Sequence, residues 1–84
     1  MNRYKLALER LAELEHIQWM KWAKSLMETE LLSSERIDRW KQYMVPYEEL
    51  DNLAKDYDRT WAKKVFDIIN DYLFIEKFQS SGER

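Results

Sequence analysis

Apolar residues recur at helical spacing from Asn2 to about Glu30: Leu8, Leu11 and Leu14, then Ile17, Met20, Ala23 and Met27. Trp19, Trp22 and Leu26 widen that stripe to one side. Neither proline nor glycine interrupts the run, so the pattern predicts a single long first helix. The segment "LLSSER" breaks it, and its two serines offer a hydroxyl to cap a new helix. A short second helix is expected from about Glu35 to Tyr43, with Ile37, Trp40 and Met44 turned inward. Val45 must then be extended, because the ring of Pro46 crowds the preceding residue out of the helical region. "PYEEL" fits one tight helical turn with proline at its first position.

A last helix is predicted to start at Asp51 or Asn52, either of which can cap it. Its expected inward stripe is Leu53, Tyr57, Trp61, Val65, Ile68, Tyr72 and Ile75. Ala54, Ala62, Phe66, Ile69 and Leu73 widen that stripe. The polar "QSSGER" reads as a flexible tail. The expected fold is all-α: two long helices, antiparallel or crossing, with a short helix and a Pro-Tyr corner between them. Residues 1–78 form a single domain and 79–84 the tail.

Composition narrows the function classes. The chain has 84 residues, one glycine, one proline, four tryptophans and no cysteine. That length supports one core. The absence of thiols excludes disulfides, thiolate catalysis and thiolate metal sites. Fourteen basic against sixteen acidic side chains leave a net charge of −2 with both signs interspersed, which argues against nucleic acid as a main partner. No run nears the ~20 apolar residues of a membrane span. "MNRYKLALER" has no apolar run after its charges, so no signal peptide is expected, and the chain reads as a cytoplasmic protein with no membrane partner.

Candidate chemistry is sparse. Glu13-x-x-His16 has the spacing of half a carboxylate-bridged di-iron site. The chain has only one histidine, so a second half would need a symmetric dimer. No metal site and no cofactor are expected. Ser33 and Ser34 read as caps, Ser80 and Ser81 as tail, and Gly82, the single glycine, cannot build a phosphate loop. Glu48-Glu49 reads as a solvated helix start. An enzyme is not expected.

Trp19 and Trp22 lie three apart and share a helical face. They read either as core or, since four indoles overload so small a core, as an exposed platform for a flat ligand or a partner. Asp58 falls on the face of Ala54, Ala62 and Phe66, where an unpaired carboxylate is costly. It therefore needs a partner, His16 or a backbone N–H. A hydrogen bond to His16 would make Asp58→Asn destabilising by about a kilocalorie or more.

The run Val45-Pro46-Tyr47-Glu48-Glu49-Leu50 followed by Asp56-Tyr57-Asp58-Arg59 resembles the "VPYEEL…EYDR" signature of the ryanodine-receptor repeat (RyR) domain. His16-Ile17-Gln18-Trp19 matches that family's His-x-x-Trp. The likeness extends over roughly residues 8–73 and is nearest to the small free-standing phage and bacterial versions. Two departures stand out. "METELLSSER" replaces a longer connection after the first helix, and Asp51 stands where the family often has proline. The resemblance implies a structural corner of His16, Pro46, Tyr47, Leu50 and Asp58 that docks the last helix on the first.

The same resemblance implies a non-enzymatic module that binds a nucleotide or nucleotide-derived signal, as a sensor or sponge in a bacterial or phage-infected host cell. Trp19, carried over by position, would stack the base. Trp22, Tyr47, Arg59 and Lys63 complete the expected ligand set, with Arg59 the favoured anion contact. One stacking platform contributes ~1–3 kcal/mol, so a second aromatic is required, from elsewhere in the chain or from a mate in a homo-dimer or larger assembly. The alternative is a protein-interaction or oligomerisation module without a small ligand, its exposed aromatics serving an interface.

Overall fold

The computed structural model describes residues 2–74, and Ile75 and the tail at 79–84 lie outside them. Three α-helices account for most of the chain: α1 (Arg3–Thr29), α2 (Ser34–Lys41) and α3 (Asn52–Ile69). A 3-10 turn, Tyr47–Glu49, precedes α3, and a π-helical turn, Asn70–Phe74, follows it. The all-α expectation holds, and each helix start is set by a local side chain. Asn2 Oδ1 accepts from Lys5 N at 2.7 Å, Ser33 Oγ from Arg36 N at 3.1 Å, and Asp51 Oδ1 from Ala54 N at 2.8 Å. Each cap satisfies a backbone donor that the first turn would leave unpaired.

α1 and α3 run antiparallel. Tyr4 meets Phe66 with ring centroids 4.9 Å apart near one end of the pair, while Glu9 reaches Arg59 and His16 faces Asp58 farther along. The seam is built from small side chains: Ala12 and Ala62 are fully buried, and together with Tyr47 and Leu50 they form the core cluster. Leu8, Leu11, Val45 and Ala54 pack around it. Alanine lets two helix axes approach closely, and the chain uses that closeness where a larger domain would stack leucines. The molecule is only 15 Å across its thinnest axis. One layer of helices has that thickness, so no large side chain is fully enclosed among the described residues.

The inward stripe of α3 differs from the periodicity reading. Of the main stripe, Leu53 is 81% exposed, Tyr57, Trp61, Ile68 and Tyr72 are exposed too, and Val65 is half-buried; of the widening set, Ala62 is buried, Ala54, Phe66 and Ile69 are half-buried, and Leu73 is exposed. The face against α1 is Ala54, Asp58, Ala62, Phe66 and Ile69, one residue or about 100° around the helix. Both faces of α3 are apolar, and the corner decides between them. Tyr47 and Leu50 dock before the helix begins and fix its rotation so that the small residues meet α1. On α1, Leu14 and Ile17 are likewise exposed, whereas Ala12, His16 and Ala23 are buried.

Candidate functional site

The residues expected at the corner lie around His16 and the turn at Tyr47. His16 lies 3% exposed on α1, and its Nε2 is 2.7 Å from the Val45 carbonyl oxygen. A carbonyl only accepts, so Nε2 carries the proton and donates. That contact ties the residue before Pro46 to α1 across 29 positions of sequence. The His16 and Tyr47 rings sit 6.5 Å apart, and Tyr47 and Leu50 are both buried, whereas Pro46 is exposed and acts through its backbone.

Asp58 is 8% exposed, and its Oδ2 stands 3.8 Å from His16 Nδ1. That separation is too long for a hydrogen bond. With Nε2–H engaged by Val45, Nδ1 holds a proton only when the ring is an imidazolium. Burial pushes the Asp58 carboxyl above its ordinary range; the nearby His16 opposes the shift and Glu15 adds to it.

Arg59 has a different place from the expected one. Its Nε donates to Glu9 Oε2 at 2.6 Å, its Nη2 to Glu9 Oε1 at 3.1 Å, and its Nη1 to Asp56 Oδ1 at 2.8 Å. The Tyr47 hydroxyl donates to the same Glu9 Oε1 at 2.8 Å. Two carboxylates hold the guanidinium, which does not line the cavity between α1 and α3. Tyr47 is bound into this network as well. Lys63 pairs with Asp67 at 3.6 Å on the exposed side of α3. Glu9, the centre of the network, escaped the sequence reading. It lies three residues before Ala12 and seven before His16, on the buried face of α1, and that register is the signal that could have found it.

A cavity of about 460 Å³ opens between α1 and the first half of α3. Its aromatic lining is Trp19, Tyr43, Tyr57 and Trp61. Leu50, Leu53 and Ala54 add apolar wall, and Glu15, His16, Asp51 and Asp58 supply the polar atoms. This volume falls in the range of small-molecule sites, about 300–1,000 Å³. Trp19 is the one expected ligand residue that lines it. Trp22 instead packs on Trp40 with centroids 5.5 Å apart, and Arg36 covers the Trp40 ring at 5.8 Å. Trp19 is held from two sides, by His16 in a near-parallel arrangement and by the Trp40 ring in an edge contact, each at 6.0 Å. Tyr43, Tyr57 and Trp61 were not foreseen as site residues. The periodicity placed Tyr57 and Trp61 in the core, which concealed them.

Glu13, of the half-site spacing, pairs with Arg10 at 3.7 Å. Among the described residues no group of three or more His, Asp or Glu side chains is arranged to hold a metal ion. No helix among them is long and apolar enough to cross a membrane. No family model matches the chain, and neither a curated protein nor a solved structure matches it. The likeness to RyR repeats therefore rests on the residues quoted above.

Proposed function

We propose that this protein is a non-enzymatic binding module that takes a nucleotide-type small ligand in the α1–α3 cavity by aromatic stacking. The observation that carries the reading is the cavity itself, with Trp19 from α1 and Trp61 and Tyr57 from α3 on a common opening. Stacking on one indole contributes ~1–3 kcal/mol, and further aromatics on the same cavity supply the second platform that useful affinity requires. The resemblance to RyR repeats, with Trp19 at the tryptophan of His-x-x-Trp, supports the same site.

The cavity departs from the expected ligand set at the phosphate end. No lysine or arginine lines it, and three carboxylates do. Binding is thus carried by the base, with phosphates left in solvent. A thermal-shift and tryptophan-fluorescence screen with adenosine, AMP, ADP-ribose and cyclic dinucleotides tests this. A stabilisation that Trp19→Ala removes, of similar size for adenosine and AMP, is the expected result. A flat screen with a folded protein overturns the reading.

A second reading, an interaction module for a protein partner or a second copy, draws on Leu53 and Ile68 of α3 and Tyr72 of the turn that follows it, all three exposed. Concentration-dependent sedimentation without any ligand response would favour it.

A further inference from the structure

The charge of the cavity says more about its ligand than its shape does. Glu15, Asp51 and Asp58 all line it. Asp51 spends one oxygen on the Ala54 backbone N–H as a helix cap. Among the described residues, neither Glu15 nor Asp58 has a side-chain hydrogen-bond partner, and the Asp58 side chain is only 11% exposed. Among the described residues, the one basic side-chain nitrogen within 4 Å of it is His16 Nδ1, at 3.8 Å. A buried carboxylate in that state is costly, and a cation entering the cavity would offset the cost.

The cations of α3 do not do so, because each is directed elsewhere. Lys55 Nζ lies over the Tyr47 ring at 5.5 Å, Arg59 is held by Glu9 and Asp56, and Lys63 pairs with Asp67. Lys64 Nζ sits 5.6 Å from the centre of the Trp61 ring, outside the cavity lining. That contact shows the Trp61 indole already presenting its π-face to a positive charge. The aromatic lining adds to the carboxylates: ring faces carry negative potential, strongest for tryptophan, and attract poorly hydrated organic cations. A phosphate or carboxylate ligand would meet repulsion from the three carboxylates of the lining, Glu15, Asp51 and Asp58.

We propose that the group seated in this cavity is a flat organic cation, an N-alkylated nitrogen heterocycle stacked on Trp19 and Trp61 with its charge turned to Asp58. The inference rests on the reading of the cavity as the ligand site, and it adds the sign of the ligand's charge. It divides nucleotide-type ligands into two sets. Those with a quaternised or alkylated ring nitrogen fit the cavity, and those with neutral bases fit less well.

The test is a pair of probes with the same ring, one cationic and one uncharged, 1-methylnicotinamide and nicotinamide, titrated into the full chain. Binding is read by calorimetry and by the indole N–H resonances of Trp19 and Trp61. The cation is expected to bind at least about tenfold more tightly, equivalent to 1.4 kcal/mol. Asp58→Asn, which keeps the shape of the side chain, should erase most of that preference while leaving the fold intact by circular dichroism. Trp61→Ala, at an exposed position, should weaken the cation without unfolding the protein. Equal affinity for the two probes, binding of neither, or a preference unaffected by Asp58→Asn overturns the proposal. Adenosine in the same titration separates the two levels: if it binds while the cation shows no advantage, the site stands and the charge assignment falls. If no probe binds, both fall.

Discussion

Arg59 of α3 closes on Glu9 of α1 with two hydrogen bonds, Nε to Oε2 at 2.6 Å and Nη2 to Oε1 at 3.1 Å, across fifty positions of sequence. The fork geometry fixes the rotation of both helices at once, because a bidentate contact tolerates little twist. Glu9 also accepts from the Tyr47 hydroxyl, so one carboxylate joins α1, the 3-10 turn and α3.

Glu9→Ala should therefore cost more than an exposed ion pair would. It leaves the buried Tyr47 hydroxyl and a largely covered guanidinium without their acceptor, and a loss of about 2 kcal/mol is expected in urea unfolding. Arg59→Lys should recover little of the equivalent loss at Arg59, since an ammonium cannot reproduce the two-point contact. A cost under about 0.5 kcal/mol for Glu9→Ala, the range of a surface pair, would show that the network contributes nothing beyond its charge.

Acid titration tests the same network. Hydrogen bonding from Arg59, assisted by Tyr47 and opposed by desolvation, holds the Glu9 carboxyl below its ordinary range. A lowered folded value means that the contribution is present above the unfolded pKa, and it is lost as the pH falls through the folded one. The wild type should lose stability progressively below about pH 4, and Glu9→Gln should flatten that part of the profile. Equal acid slopes for the two proteins would refute the assignment.

Asp58 has the opposite sign. Its carboxyl is raised, chiefly by burial, so its contribution is present below the unfolded pKa and is lost as the pH rises through the folded value. At neutral pH the ionised form costs stability. The sequence-based expectation that Asp58→Asn destabilises assumed a hydrogen bond to His16, and the separation of 3.8 Å does not allow one. Asp58→Asn should be neutral or stabilising at pH 7, by up to about 1 kcal/mol, with the advantage shrinking on acidification. Thermal melts at pH 4 and pH 7 decide the sign.

Tyr47 gives a spectroscopic readout. Burial first, then its hydrogen bond to Glu9, pushes its hydroxyl up to about 12. The stability carried by the neutral phenol is complete below the ordinary tyrosine pKa of about 10 and is lost as the pH rises through the folded value. Ultraviolet titration of the folded protein should show a late tyrosinate step that Tyr47→Phe removes.

Local chemistry was legible in the sequence and helix rotation was not. Asn2, Ser33 and Asp51 sit where caps must sit, so the helix starts followed within a residue or so. Pro46 marked the joint, where His16 hydrogen-bonds the Val45 carbonyl and stands 3.8 Å from Asp58. Rotation depends on which of two apolar faces packs, and periodicity weighs large residues most heavily. Close approach of α1 and α3 selects Ala12 and Ala62 instead, which leaves Leu53, Tyr57 and Trp61 outside. The cavity lining was hidden for that reason. Arg59, an apparent free cation in the sequence, is committed to a glutamate fifty residues away that no local pattern connects to it.

The rotation of α3 is itself testable by a pair of substitutions on adjacent faces. Had Leu53 packed in the core, Leu53→Gln would cost several kilocalories, since a buried leucine truncated to alanine alone costs about 2–5 kcal/mol. At 81% exposure the change should stay within about 0.5 kcal/mol of wild type. Ala62 has no exposed surface and touches the α1 seam, so Ala62→Leu forces the helices apart and should cost at least about 1–3 kcal/mol. Urea unfolding of the two variants should thus rank them opposite to their side-chain sizes. The reverse ranking would return Leu53 to the core, carry Asp58 away from His16, and dismantle the cavity on which the functional reading depends.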